Sequence, residues 1–203
     1  MGIKVAVIYY SSTGTNYEMA KQAYQAAKDS DADEVKLLKI KETAPQEAIA
    51  ANEDWKKHLE ETKDVQEVSL DDLEWADAII FSTPTRYGTL PSQLQSFIDT
   101  TGGLWFSGKL ANKVVSGMTS AQNPHGGQET TLMSLYKTMF HWGALVVPPG
   151  YTDESIFGAG GNPYGVSSKG GKENVTKEKR TAIDHQVKRT LQVAGWVKKG
   201  LNS

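Results

Sequence analysis

Residues Lys4 to Tyr10 read KVAVIYY, an unbroken run of aliphatic, β-branched and aromatic side chains behind a single lysine. A strand with one wet face alternates apolar and polar residues. A run without alternation belongs to a strand covered on both faces, as in parallel sheets flanked by helices. A Ser/Thr/Gly turn follows, and from Asn16 a helical pattern sets Tyr17, Ala20, Tyr24 and Ala27 on one face. Strand, hydroxyl-rich turn and helix in this order open an α/β fold.

The alternation continues along the chain. Glu34 to Ile40, Ala78 to Thr83, Lys113 to Thr119 and Leu145 to Val147 read as the second to fifth strands. Ser69 caps a brief helix through Trp75, with Asp71 and Asp72 in its first turn, where the helix dipole favours them. A helix from Pro91 carries Leu94, Phe97 and Ile98, another spans Gln128 to Trp142, and the last runs from Thr176 to Leu201. Residues 41–68 are charged and interrupted, with Pro45 and Trp55 pointing to one or two short surface helices. Residues 148–175 hold seven Gly and three Pro, an excursion too long for a plain αβ loop. The expected fold is one α/β domain over residues 1–203. Its core is a doubly wound, five-stranded parallel sheet of order 2-1-3-4-5, with the Gly/Pro-rich excursion before the C-terminal helix.

Composition excludes several function classes. The formal net charge of −2 sets up no field that would draw nucleic acid or an anionic membrane. With no cysteine there is no disulfide scaffold, zinc ribbon, iron–sulfur cluster or thiol catalysis. No leader and no membrane-spanning run is evident, so the chain reads as cytoplasmic. No HExxH and no metal-ligand spacing occurs, so no metal is expected. Gly158-Ala159-Gly160-Gly161 lacks the strand and helix that a dinucleotide loop needs. His58 and His185 read as solvated helix-face residues.

Ligands of such sheets bind beyond the carboxyl ends of the strands, which singles out three loops. Ser11-Ser12-Thr13-Gly14-Thr15-Asn16 brings hydroxyls and a helix N-terminus to one point, a setting for a phosphate dianion. It lacks the lysine and length of a nucleoside-triphosphate loop and the glycines of a dinucleotide fold. Pro84-Thr85-Arg86-Tyr87-Gly88-Thr89 offers a stiff strand exit, donors, a stacking face, and in Arg86 the one fixed positive charge expected at the rim. Ser120-Ala121-Gln122-Asn123 can ring the edge of a heterocycle. Residues 11–16, 84–89 and 119–127 contain no Asp or Glu.

Tyr9-Tyr10-Ser11, Pro84-Thr85-Arg86-Tyr87-Gly88, Thr101-Gly102-Gly103-Leu104-Trp105, Gly126-Gly127-Gln128-Glu129 and Pro163-Tyr164-Gly165 occur in this order along the chain. In these motifs the sequence resembles the WrbA-type NAD(P)H:quinone oxidoreductases, flavodoxin-like FMN enzymes. The resemblance implies that Ser11 to Asn16 hold the FMN phosphate, that Thr85, Arg86 and Tyr87 flank the isoalloxazine, and that Ser120 to Asn123 line the ribityl chain and ring edge. It further implies His141 as a catalytic flavin-edge residue and Trp105 as a wall of the substrate site. NADH or NADPH would be the donor and a quinone the acceptor, in a homotetramer whose neighbouring subunits complete each site. Two departures stand out. Thr13 occupies a position where the family often carries an aromatic, and Asn123-Pro124-His125 makes the third loop richer in side chains. The alternatives are a flavodoxin-type electron carrier and a flavin-free assembly protein.

Overall fold

The computed structural model describes residues 2–30 and 32–201. Its elements, in chain order, begin with β1 (Ile3–Tyr9), α1 (Thr15–Lys28) and β2 (Ala32–Lys39), followed by three short helices, α2 (Gln46–Ala50), α3 (Glu53–Glu61) and α4 (Leu70–Trp75). Then come β3 (Ala78–Pro84), α5 (Ser92–Asp99), α6 (Gly102–Phe106), β4 (Val114–Ala121), α7 (Gln128–Trp142) and β5 (Leu145–Val146). The chain closes with α8 (Glu154–Gly158), β6 (Ser167–Lys169), a 3₁₀ turn at Lys172–Asn174 and α9 (Lys177–Leu201).

The sheet is parallel throughout, in the order β2-β1-β3-β4-β5, as the strand–helix alternation predicts. Successive β1 side chains serve opposite layers. Val5, Val7 and Tyr9 pack with Met19, Ala23 and Ala27 of α1 and Ile183, Val187 and Leu191 of α9. Ala6 and Ile8 pack with Leu73 of α4, Leu94 and Ile98 of α5, and Leu132, Leu135 and Met139 of α7. Both faces are dry, which is why KVAVIYY shows no alternation.

The fifth position of the sheet differs from expectation. The strand read as Leu145 to Val147 pairs only as Leu145–Val146, because Pro148 and Pro149 have no N–H with which to extend the ladder. Twenty residues later β6 returns to the same edge and pairs Thr119, Ser120 and Ala121 of β4. Between the two segments the β4 edge is closed by one side chain from α9. Gln186 Nε2 donates to Ser116 Oγ and to Gly117 O, each at 2.8 Å, while its Oε1 accepts from Val166 N–H at 2.8 Å. The excursion thus has structure of its own. It carries a helix, a strand and a 3₁₀ turn, and it ends beside the loop after β1, where Gly171 N–H donates to Thr15 Oγ1 at 2.8 Å.

Residues 41–68 also do more than decorate the surface. His58, expected on a solvated helix face, is 1 % exposed. Its ring lies 5.5 Å from that of Tyr17, and α3 docks through it onto α1. His185 is half-buried and shares a 2.8 Å hydrogen bond with Thr152. Burial is the main force on the His58 imidazole. With lesser push from Lys172 and Lys39 and pull from Glu61 and Glu18, it holds the ring to a pKa of about 4 against an ordinary 6.5. Between those values the unfolded chain binds a proton that the folded chain does not. Stability is thus complete above pH 6.5 and is lost as pH falls towards 4, by up to about 3 kcal/mol. Urea unfolding of the protein and of His58→Phe at pH 7 and pH 4 measures this. The variant is expected to lose markedly less stability across the window, and parallel losses would contradict the assignment.

Candidate functional site

Parallel strands put all three predicted loops at one end of the sheet, and Asn16 ties them together. Buried at the start of α1, it donates from Nδ2 to Ser82 Oγ of β3 (3.1 Å) and accepts at Oδ1 from Ser120 Oγ of β4 (2.6 Å). Ser82 in turn donates to the Asn16 carbonyl at 2.9 Å. The result is a cleft of about 300 Å³ lined by Ser11, Ser12, Thr13, Thr15, Asn16, Pro84, Thr85, Arg86, Ser120, Ala121 and Gln122. Those are eleven of the residues singled out from the sequence. Asn52, Trp55 and Gly170 complete the lining.

Hydrogen-bond direction decides what each hydroxyl can offer a ligand. Ser11 Oγ accepts from Gly14 N–H (2.9 Å) and Thr15 Oγ1 accepts from Gly171 N–H, so each keeps its proton. Thr13 is exposed at the mouth. Thr85 Oγ1 accepts from Gly88 N–H at 3.0 Å and lies 2.7 Å from Thr131 Oγ1. Because the single Thr131 proton goes to the Gly127 carbonyl at 2.8 Å, Thr85 gives its own proton to Thr131. Ser120 likewise gives its single proton to Asn16, and both polar ends of the Asn16 side chain are used within the protein. Gly14, at φ 98°, turns the chain into α1, whose first N–H groups no side chain caps. Three hydroxyl donors and a helix N-terminus thus converge on one point, a cradle for a doubly charged phosphate.

A second cation, not anticipated, stands there. A Cβ on Gly14 would lie 2.1 Å from Lys172 Cε, so the lysine stem crosses the loop through space that glycine leaves open. The Lys172 ammonium is held by Glu61 of α3 at 2.6 Å. Arg86 is therefore not the lone positive charge of the rim. Its Nη1 donates to Thr85 O (2.9 Å) and its Nη2 to Ser12 Oγ (3.0 Å). No contiguous motif signals Asn52 and Trp55 in the cleft or Lys172 beside Thr13 in the adjoining cavity, because all three come from segments outside the three loops.

The remaining candidates fall outside the cleft. Arg86 and Thr89 exchange two backbone hydrogen bonds at 2.9 Å around Tyr87 and Gly88, whose φ of 52° and 80° mark a tight hairpin turn. That turn stands the Tyr87 ring in solvent and accounts for Gly88 without a ligand. Asn123 is turned outward, with its Oδ1 accepting from His125 N–H at 3.0 Å. His141 and Trp105 meet each other, Trp105 Nε1 donating to His141 O at 2.8 Å. They do so at the far end of the sheet. α7 leaves the third loop at Gln128 and runs antiparallel to the strands, so thirteen residues later His141 lies about 20 Å away along the helix.

The profile of the family described as NADPH-dependent FMN reductase matches residues 3–155. The chain belongs to that family. A relative from Deinococcus radiodurans named NAD(P)H dehydrogenase (quinone) is 55% identical over 191 residues, covering 94% of this chain and 95% of that one. A Sinorhizobium fredii protein of the same name is 37% identical over 185 residues, covering 89% and 90%. Among solved structures, a WrbA-like flavodoxin from Agrobacterium tumefaciens matches with TM-score 0.69 and 24% identity over 96% of this chain and 99% of that one. Oxidised flavodoxin 2 from Bacillus cereus matches with TM-score 0.64 and 15% identity over 94% and 99%. The fold is flavodoxin-like, with β6 as an addition.

FMN suits the cleft on the structure's own terms. A phosphate monoester needs the uncapped helix N-terminus and the protons of Ser11, Thr13 and Thr15, and a flat polar ring needs the wall that Pro84 to Arg86 and Gln122 provide. No group of three or more His, Asp or Glu is placed to hold a metal among the described residues. Thr13→Val removes one hydroxyl that supports nothing else. Hydrogen bonds to a charged group are worth about 1.5–3 kcal/mol, so FMN affinity should fall at least about tenfold. Riboflavin, which lacks the phosphate, should bind the variant and the parent alike. Equal FMN affinity in the two proteins by fluorescence titration would remove Thr13 from the phosphate site.

Proposed function

We propose that the protein is an FMN-dependent NAD(P)H:quinone oxidoreductase. It takes two electrons from NADH or NADPH and passes them to a quinone in a ping-pong cycle, giving the hydroquinone. The observation that carries this reading is the phosphate cradle with unspent donor protons at the switch point of a flavodoxin-like sheet. The names of relatives at 55% and 37% identity supply the reaction class. When bound, FMN supplies the two-electron chemistry, while the protein supplies binding, orientation and electrostatics. Ser11, Thr13, Thr15 and the first N–H groups of α1 hold the phosphate. Thr85 and the Arg86 guanidinium line the ring side of the cleft, and Arg86 favours negative charge developing on the ring. An electron carrier is the weaker reading, since carriers dock through a strongly acidic face. Here the net charge is −2, and Arg86 lines the cleft.

His141 and Trp105 cannot reach the cleft of their own chain, so on this reading they serve the cleft of a neighbour. Trp105, Phe106 and Phe140 are all exposed at the far end of the sheet, the apolar patch of a surface built to be covered. We accordingly place the enzyme as a cytoplasmic homotetramer in which Trp105 walls the quinone site and His141 contacts the flavin edge from another subunit. No helix among the described residues is long and apolar enough to cross a membrane. Subunit complementation tests the arrangement. Arg86→Ala and His141→Ala are each expected to be poorly active with NADH or NADPH and benzoquinone. When the two are mixed and re-associated, some sites regain both residues and activity should rise above either alone. A fully active monomer by sedimentation, or no gain on mixing, would reject the shared site.

A further inference from the structure

We propose that Glu42, on the loop after β2, is a positioning residue of the flavin site, acting through two arms that end in the cleft. The inference rests on the flavin reading above. Glu42 is half-buried, and its carboxylate accepts five hydrogen bonds. Oε1 takes Thr43 N–H and Ala44 N–H, both at 2.9 Å, and Gln93 Nε2 at 2.8 Å. Oε2 takes Tyr10 O–H and Trp55 Nε1–H, both at 3.0 Å.

The first arm orders protons. A carboxylate accepts only, so Tyr10 must donate to Glu42, and the 3.3 Å contact between Tyr10 Oη and Ser12 Oγ must then carry the serine proton. Ser12 is left as an acceptor, and it receives Arg86 Nη2. The chain therefore runs in one direction, from Arg86 through Ser12 and Tyr10 to Glu42, with a cation at one end and an anion at the other. Burial raises the Tyr10 hydroxyl well above the ordinary tyrosine range, so it stays a donor. Ser12 thus does not serve the phosphate as its neighbours do. Its role is to hold Arg86 at the cleft.

The second arm fixes a wall. Trp55 is half-buried at the start of α3 and lines the cleft. Its backbone N–H is taken by Asn52 Oδ1 at 3.0 Å and its indole N–H by Glu42. An aromatic ring held at both ends thus stands in a cleft whose own phosphate loop contributes Thr13 and no ring.

Glutamine cannot replace this group. Its NH₂ would face either the Thr43 and Ala44 N–H groups or the Trp55 indole N–H, and none of these can turn into an acceptor. The arms can be tested one at a time by titrating apoprotein with FMN and measuring the midpoint potential of the bound flavin. Glu42→Gln should weaken FMN binding about tenfold or more. Tyr10→Phe, which breaks only the first arm, should lower the potential by releasing Arg86. Trp55→Phe, which breaks only the second, should weaken binding with the potential unchanged. Far-ultraviolet circular dichroism confirms folding, and if Glu42→Gln does not fold, the two single-arm variants carry the test. If the parent binds FMN while Tyr10→Phe and Trp55→Phe match it in affinity and potential, the positioning role is overturned and the flavin site stands. If the parent binds no FMN, the flavin reading fails and this inference with it.

Discussion

The buried side chain of Asn16 holds the site end of the molecule together. β3 and β4 stay paired as far as Pro84 and Ser120, and Tyr10 N–H and Thr85 N–H carry the pairing on to Ser82 O and Ser120 O. The three loops thus leave one edge together, but the start of α1 still has to be fixed against them. Asn16 bonds the start of α1 to the last turns of β3 and β4 through Ser82 and Ser120, using its donor and its acceptor together. A buried amide with both ends satisfied specifies position, because any displacement leaves a polar group unpaired in a dry environment. Those contacts, with the Thr85 N–H bond to Ser120 O, set the loop after β1, the Arg86 turn and the Gln122 edge against one another.

A second layer closes around this frame from segments remote in sequence. The excursion before α9 brings Gly171 to Thr15 and Lys172 over Gly14, and the insert after β2 brings Trp55 and Glu42 behind Ser12. Lys172 and Glu61 then join excursion to insert across the mouth. The two least regular stretches of the sequence are therefore the ones that convert an open flavodoxin-like edge into a walled cleft. Their docking is buried chemistry: His58 under α3 and Gln186 beneath the break between β5 and β6 both sit in the core.

How much of this was legible depended on whether the signal was local. Unalternating strands, the helix from Gln128 to Trp142 and the hydroxyl loop after β1 are written in contiguous residues, and the structure has them where the sequence puts them. The apolar run Leu145 to Val147 is one residue longer than the strand, because pairing stops ahead of Pro148-Pro149. β6, the polar tripeptide Ser167-Ser168-Lys169, carries no strand pattern and exists only because β4 has a free edge there. His58 sits among Lys, Glu and Asp, so its burial could be known only from what α3 docks against. Tyr87 and Gly88 read as ligand contacts, yet their backbone is explained by the hairpin turn they form. Glu42 lies outside the three loops that lack carboxylates, and only the fold delivers its charge to Ser12.

We propose that a doubly charged phosphate rests on the cradle made by Ser11, Thr13, Thr15 and the start of α1. Phosphorus-31 NMR of the FMN-loaded protein across pH 5 to 8 tests it most directly. Free phosphate monoesters lose their second proton near a pH of about 6. Held by unspent hydroxyl protons and backbone N–H groups, with Lys172 alongside, the bound phosphate should stay dianionic, and its resonance should not move over that range. A resonance that titrates with a midpoint near that of free FMN would show a phosphate left in water and would contradict the account.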